Sequence, residues 1–228
     1  MYKRQIEFTG VGHAYDGRVV LRDITLTLAE RRVGIVGANG SGKSTLARMI
    51  NALVTPDAGT VTVNGVDAAK HKRRIRREVG FIFSDPDRQI IMPTVIEDIE
   101  LSLRRTGLSK AERAERARTV LARFGLADHA DHPAQRLSGG QKQLLALAAI
   151  FVTEPTIIVA DEPTTLLDLR NSRMLRRVFA GLDEQLVVVT HDLDLVDDFD
   201  RVIVLDDGAV VADDAPGPAL AAYRELMA

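Results

Sequence analysis

Short runs of β-branched and aliphatic residues recur at 6–8, 33–36, 60–63, 79–83, 157–160, 186–190, 202–205 and 210–212, and each predicts a strand. Four of them, 33–36, 157–160, 186–190 and 202–205, carry almost no polar alternation. Strands buried on both faces, as in a parallel sheet flanked by helices, have that pattern. Thr60-Val-Thr-Val63 alternates instead and leads into Asn64-Gly65, which predicts an antiparallel, turn-linked sheet at the N-terminal side. A helical run is expected at 46–53, after a glycine-rich loop. Between Pro93 and Gln135 the period is again helical. Ser109 and Glu112 are spaced as a capping box, and Ala117, Val120, Leu121 and Phe124 follow on one face. Arg113, Glu115, Arg116, Arg118 and Arg123 occupy the other face and read as solvated. The stretch 213–218 breaks the pattern before one short terminal helix. The fold expected is α/β: a mainly parallel core sheet, an N-terminal antiparallel β subdomain and a helical subdomain inserted at about 85–150, all in one domain over 1–228.

Composition then narrows the function. Hydrophobic residues make up 46% and charged residues 27% of the 228, which suits a folded chain with a sizeable core and excludes disorder. The longest apolar run, 144–152, is far short of the roughly 18 residues a spanning helix needs, so membrane contact is expected only through partners. The opening MYKRQIEF has no apolar core of the signal-peptide kind, which predicts a cytoplasmic location. Without cysteine there is no disulfide framework, zinc ribbon or thiol catalysis. Thirty Lys and Arg against 32 Asp and Glu give a net charge of −2, which argues against nucleic acid as a partner. The one basic run, Lys70-His-Lys-Arg-Arg-Ile-Arg-Arg77, reads as a solvated turn before the strand at 79–83.

The chemistry concentrates in three segments. Gly37, Ala38, Asn39, Gly40, Ser41, Gly42, Lys43, Ser44 and Thr45 fit G-x-x-x-x-G-K-[ST] between a buried strand and a helix, the context that motif requires. Its glycines let backbone N–H groups approach phosphate oxygens, and the helix start favours an anion. Lys43 is placed to bridge the β- and γ-phosphates of a nucleoside triphosphate, and Ser44 to ligate Mg²⁺. The strand at 157–160 ends in Asp161 and Glu162, at the sheet edge where α/β folds bind ligands. Asp161 is a candidate Mg²⁺ ligand and Glu162 a candidate general base. Ser138, Gly139, Gly140 and Gln141 open a second helix whose first amides form another anion-binding terminus. His191 closes the strand at 186–190 and fits a strand-end cap equally well.

Taken in order, GANGSGKST, LSGGQ, IIVADEP and VVVTHD resemble the nucleotide-binding subunit of an ATP-binding cassette (ABC) transporter over essentially the whole chain. The resemblance implies ATP as ligand with Mg²⁺, Tyr15 stacking on adenine, and His191 at the γ-phosphate. It also implies that 138–141 bind the ATP of an opposite subunit and that Asp168 lies in a dimer-contacting loop, hence a homodimer. Three positions depart from the family pattern. Ser84 stands where a glutamine usually touches Mg²⁺ and the attacking water, Leu166 where a small residue is usual, and Leu144 where a basic one is common. Asp85-Pro-Asp-Arg-Gln89 resembles the ATPases of energy-coupling factor (ECF) importers, so Gln89 is a second candidate for the role of that glutamine. The short chain with Thr-Thr-Leu-Leu-Asp-Leu-Arg resembles the biotin-specific type, with cobalt, nickel or another vitamin as alternative cargo. The implied partners are an integral-membrane coupling protein and a substrate-binding membrane protein, with the chain peripheral on the cytoplasmic face. The rivals are a nucleic-acid ATPase of the same superfamily and a non-hydrolysing regulatory cassette. Intact Glu162 and His191 count against the second.

Overall fold

The computed structural model describes residues 4–104 and 106–228, so the first three residues of MYKRQIEF lie outside the described chain. Strands β1 (Ile6–Tyr15) and β2 (Arg18–Leu28) form a hairpin through Asp16 and Gly17, both at positive φ, the backbone of a two-residue turn that matches strand twist. The sequence pattern misses β2 and the far half of β1 for a physical reason. Register shifts interrupt the pairing and Asp23 sits at φ 49°, so the buried Leu21, Ile24, Leu26 and Leu28 do not keep a strict two-residue period. β3 (Arg32–Gly37) leads into α1 (Lys43–Ile50), which begins three residues earlier than the apolar run suggests. The chain returns to pair with β1 as β4 (Ala58–Val63), then turns at Asn64-Gly65 into β5 (Val66–Asp67). The resulting four-stranded sheet, β2-β1-β4-β5, is antiparallel, as expected.

The basic run is not a solvated turn but α2 (Lys72–Glu78). Ile75 is buried beneath it, Arg74 pairs with Glu78 at 2.9 Å, and Arg76 donates to the Ala52 carbonyl at 3.0 Å. Intramolecular partners therefore already occupy much of its charge. β6 (Val79–Ile82) stops one residue short of the expected end, because Phe83 N–H donates to the Gln89 side chain at 3.4 Å. Helices α3 (Val95–Leu103), α4 (Lys110–Arg123) and α5 (Gly139–Phe151) follow. In α4 the capping box forms and Ala117, Val120, Leu121 and Phe124 are buried. Its charged face is only partly solvated: Arg113 donates to Leu108 O, Arg116 to Val152 O, and Arg123 lies over the Phe151 ring. Long cationic stems cover apolar surface in this way.

β7 (Ile157–Asp161), α6 (Leu169–Ala180), β8 (Gln185–Val189), β9 (Arg201–Asp206), β10 (Ala209–Asp214) and α7 (Pro216–Leu226) complete the chain. The six-stranded sheet runs β10-β9-β3-β8-β7-β6. β7, β8, β3 and β9 are parallel to their neighbours in that set, and β10 is an antiparallel edge. Every residue of β7 and β8 is buried, the reason their sequences show no alternation. The breaker stretch 213–218 is shared between the end of β10 and the start of α7, since a proline in the first turn of a helix forfeits no hydrogen bond. The chain forms two compact units. One takes the chain through Phe81, then Thr156–Glu162 and Val178–Ala228, and holds both sheets; the other comprises Ile82–Pro155 and Pro163–Arg177 and is helical. No helix among the described residues is long and apolar enough to cross a membrane.

Candidate functional site

Backbone close-packing shapes the loop between β3 and α1. Gly37 has φ 151°, and a Cβ there would stand 2.0 Å from Leu205 O; Gly42 has φ 101°, and a Cβ would stand 2.7 Å from Val20 O. Neither place accommodates a side chain, so the loop keeps its bare backbone. Gly42 is also the left-handed N-cap of α1, and no side chain among the described residues caps the first amides of that helix. Lys43 is 6% exposed and donates from Nζ to Gly37 O and Ala38 O, each at 2.8 Å. Burial pushes its pKa down, and the charges of Glu162 and Asp161 pull it back. The Ser41 hydroxyl is buried with no hydrogen-bond partner among the described residues. A buried cation, an unpartnered hydroxyl and free helix amides together form an anion cradle.

The acidic pair of β7 lies against this loop. Ser44 Oγ donates to Asp161 Oδ1 at 2.7 Å, and Arg48, one turn further along α1, reaches Asp161 Oδ2 at 3.3 Å. Asp161 is 1% exposed, and burial raises its pKa against the opposing pull of the Ser44 hydrogen bond and Arg48. Glu162 leaves the strand at φ 53°, a left-handed backbone rare for a non-glycine residue. Its Oε2 lies 2.7 Å from His191 Nδ1 and 3.5 Å from Thr190 Oγ1. His191 is thus bonded to the glutamate and not merely a strand-end cap.

A cavity of about 420 Å³ opens over the loop, lined by Tyr15, Arg18, Asn39, Lys43, Thr45 and Glu162 among others. Tyr15 is 45% exposed, and its ring stands perpendicular to that of His13 at 4.6 Å between centroids. An exposed aromatic face at the mouth of an anion cradle suits a flat base. The first unit therefore brings together Tyr15, the whole 37–45 loop, Asp161, Glu162 and His191.

The remaining candidates belong to the helical unit. Ser138 Oγ accepts from Gln141 N at 3.3 Å while Gln141 Oε1 accepts from Ser138 N at 2.9 Å, a closed capping box. Asp168 caps α6 by accepting from Asn171 N at 2.8 Å, and its loop passes Gly140, where a Cβ would stand 3.3 Å from Leu166 O. Gln89 spends its amide on structure: Nε2 donates to Ala146 O at 3.1 Å and Oε1 accepts from Phe83 N. Ser84 makes no side-chain hydrogen bond among the described residues and is half-buried. Leu144 is buried in α5, which explains an apolar residue there, and the nearby cation Lys142 pairs with Asp87 at 2.7 Å.

Three residues escaped sequence reasoning. Arg18 faces the cavity because it pairs with Tyr15 across the hairpin turn, a placement the Asp16-Gly17 turn signal would have given. Arg48 follows Ser44 at helical i,i+4 spacing. His13, 2.9 Å from Asp57, has no signal outside the three-dimensional arrangement.

Comparison with known proteins identifies the family of the chain. The ABC transporter family matches residues 21–165. A putative ABC transporter ATP-binding protein of Deinococcus radiodurans is 50% identical, over 97% of this chain and 98% of its own. The biotin transport ATP-binding protein BioM of Rhizobium etli is 47% identical, over 98% and 99%. Among solved structures, cbiO1 of Clostridium perfringens, described as part of the ABC transporter complex cbiONQ, superposes with TM-score 0.83 at 28% identity, covering 97% of this chain and 92% of its own. A dimeric post-hydrolysis state of the cassette MJ0796, bound to ADP and Pi, gives 0.81 at 30%, covering 92% and 98%. With a phosphate cradle, an acidic strand end and a signature helix on one chain, the protein belongs to the ABC transporter family and is an ATP-binding subunit of the ATPase type.

Proposed function

We propose that the chain energises an ECF-type membrane importer whose cargo is biotin, as a homodimer that ATP closes and hydrolysis opens. The observation that carries the reading is the uncapped start of α1, with buried Lys43 on the loop and the Ser44–Asp161 pair beside it. Full-length likeness to BioM supports the cargo, and 41% identity to an energy-coupling factor transporter ATP-binding protein, EcfA1, supports the ECF type. Residues 138–141 of each subunit contact the ATP held by the other, and Asp168 lies between them. The partners are a membrane coupling protein and a substrate-binding membrane protein, met through the loop 84–93, where Ile91 is 74% exposed. The chain then sits on the cytoplasmic membrane face.

Each residue has a role in that cycle. Tyr15 stacks on adenine, and the loop amides with Lys43 bind the β- and γ-phosphates. Hydroxyl and carboxylate oxygens are the donors magnesium takes, so Ser44 and Asp161 fit Mg²⁺, which when bound neutralises charge on the transferred phosphoryl group. Glu162 accepts the proton of the attacking water, its carboxylate aimed by the left-handed backbone and by His191, which faces the γ-phosphate. Ser84 acts on the water through an intervening water molecule.

The test is purification of the tagged chain from its native membranes, followed by reconstitution into vesicles with ATP inside or outside. Two integral-membrane proteins should co-purify, and biotin uptake should require ATP and fail with Glu162→Gln. Uptake of cobalt or nickel ions in place of biotin would reassign the cargo. Isolation without any membrane protein would sink the importer reading.

A further inference from the structure

The signature segment has a support that neither its own motif nor the proposed cycle accounts for. Gln141 Oε1 is committed to Ser138 N, so the nitrogen end of its amide points the other way, and Nε2 lies 2.9 Å from His129 Nε2. An amide nitrogen only donates, so His129 must present a lone pair at Nε2 and carry its proton on Nδ1. That proton has a receiver: His129 Nδ1 lies 3.0 Å from His132 Nδ1, with the two rings edge to face at 5.1 Å. The hydrogen bonds therefore run in one direction, from Gln141 to His129 to His132, and fix both tautomers.

The turn that bears these rings is itself anchored. Its carbonyls at Ala130 and His132 accept from Ile96 N at 2.9 Å and Val95 N at 3.1 Å, the first amides of α3, and Ala134 N donates to Pro93 O at 2.8 Å. The imidazole that holds Gln141 thus stands on backbone tied to the end of the 84–93 loop.

We propose that His129 is a positioning residue for ATP-driven dimer closure: by accepting from the Gln141 amide it holds the signature segment in the shape that meets the partner's nucleotide. The inference rests on the proposed role of residues 138–141. Loss of the acceptor frees the Gln141 side chain to leave Ser138 N, so the first turn of α5 loses its preset form. A hydrogen bond of this kind is worth about fivefold, and a homodimer contains two, so its dissociation constant should rise about 25-fold. Nucleotide affinity of the monomer, set by the loop 37–45, should not change.

The experiment uses the full chain with Glu162→Gln, Mg-ATP and light scattering to follow dimerisation, a fluorescent ATP analogue to follow monomer binding, and ¹⁵N spectra of the histidine rings. The expected results are an Nδ1–H tautomer at His129, weakened dimerisation in His129→Ala at unchanged analogue affinity, and recovery in His129→Gln, whose amide oxygen supplies an acceptor without the ring. An Nε2–H tautomer overturns the inference, as does a His129→Ala protein that dimerises like its parent. If the alanine variant does not fold, a folded His129→Gln protein that fails to dimerise overturns it and one that dimerises supports it. A parent chain that stays monomeric overturns the dimer reading and this inference together, whereas a dimerising parent with an indifferent His129 overturns the inference alone.

Discussion

Helix α1 begins at Gly42 with a left-handed backbone and no side chain on its first amides, whereas α5 begins at Ser138, whose hydroxyl and Gln141 close the first turn on each other. Both starts are glycine-led and both qualify by sequence as anion sites. One is left unsatisfied in the folded chain, with Lys43 desolvated and Ser41 Oγ unpartnered; the other is satisfied before any ligand arrives. The contrast separates two tasks. In the proposed cycle the open start binds its own nucleotide with energy that the fold has left unused, and the closed start serves as a rigid surface for a ligand that the partner subunit holds. Burial lowers the Lys43 pKa and raises that of Asp161, so both groups bear a folding cost when charged at neutral pH.

The comparison should break most visibly at Glu162, which in the proposed cycle belongs to the open site through chemistry and not through binding. Glu162→Gln should keep ATP affinity and lose turnover by about 10²–10⁴-fold, the usual worth of a positioned base. Steady-state ATPase rates beside equilibrium binding check it, and normal hydrolysis would remove Glu162 from the role of base. Lys43→Ala comes next. In the proposed cycle it deletes charge-assisted hydrogen bonds to phosphate worth about 3 kcal/mol, so ATP affinity should fall about 10²-fold or more by calorimetry. Affinity within threefold of the parent would mean that the backbone amides alone hold the phosphates.

Much of this was legible before the structure because the two glycine motifs declare themselves locally. Loop 37–45 and the pair Asp161–Glu162 stand at the ends of apolar strands that read as buried, and the parallel set β3, β7, β8 and β9 followed from their lack of alternation. What stayed hidden depends on contacts between distant segments. The bulged β2 lost its period at Asp23, and α2 looked like a charged turn because a single buried residue, Ile75, anchors it. The His129 contact to Gln141 joins side chains twelve positions apart through a turn with no periodic pattern. Gln89 was a candidate for the water-positioning glutamine by resemblance to the ECF importer ATPases, yet its amide bonds Ala146 and Phe83.

That observation ranks Ser84 and Gln89. Ser84, with no side-chain bond of its own among the described residues, is free to work through a water, so Ser84→Ala should lower ATPase activity of the proposed importer about fivefold, one hydrogen bond's worth. Gln89→Ala should leave ATP hydrolysis by the isolated chain near normal and weaken transport per ATP, because it loosens the loop 84–93. A silent Ser84→Ala beside a hydrolytically dead Gln89→Ala would transfer the role to Gln89.

The smallest effect tests the contrast most directly, since it asks for stability in the absence of nucleotide. Ser138→Ala removes a satisfied cap and should cost about 1 kcal/mol, a fall in Tm of about 2–4 °C for a chain of this size. Lys43→Ala removes a buried cation whose charged form is already disfavoured, so the melting temperature of its nucleotide-free form should move less than that of Ser138→Ala. Adding Mg-ATP should raise Tm in the Ser138 variant as in the parent, because loop 37–45 is intact, and raise it far less in the Lys43 variant. Thermal melts of the three proteins with and without Mg-ATP supply all six values. Equal losses without nucleotide would mean that the Lys43 contacts to Gly37 and Ala38 stabilise the fold as a cap does, and the open and closed starts would then be built alike.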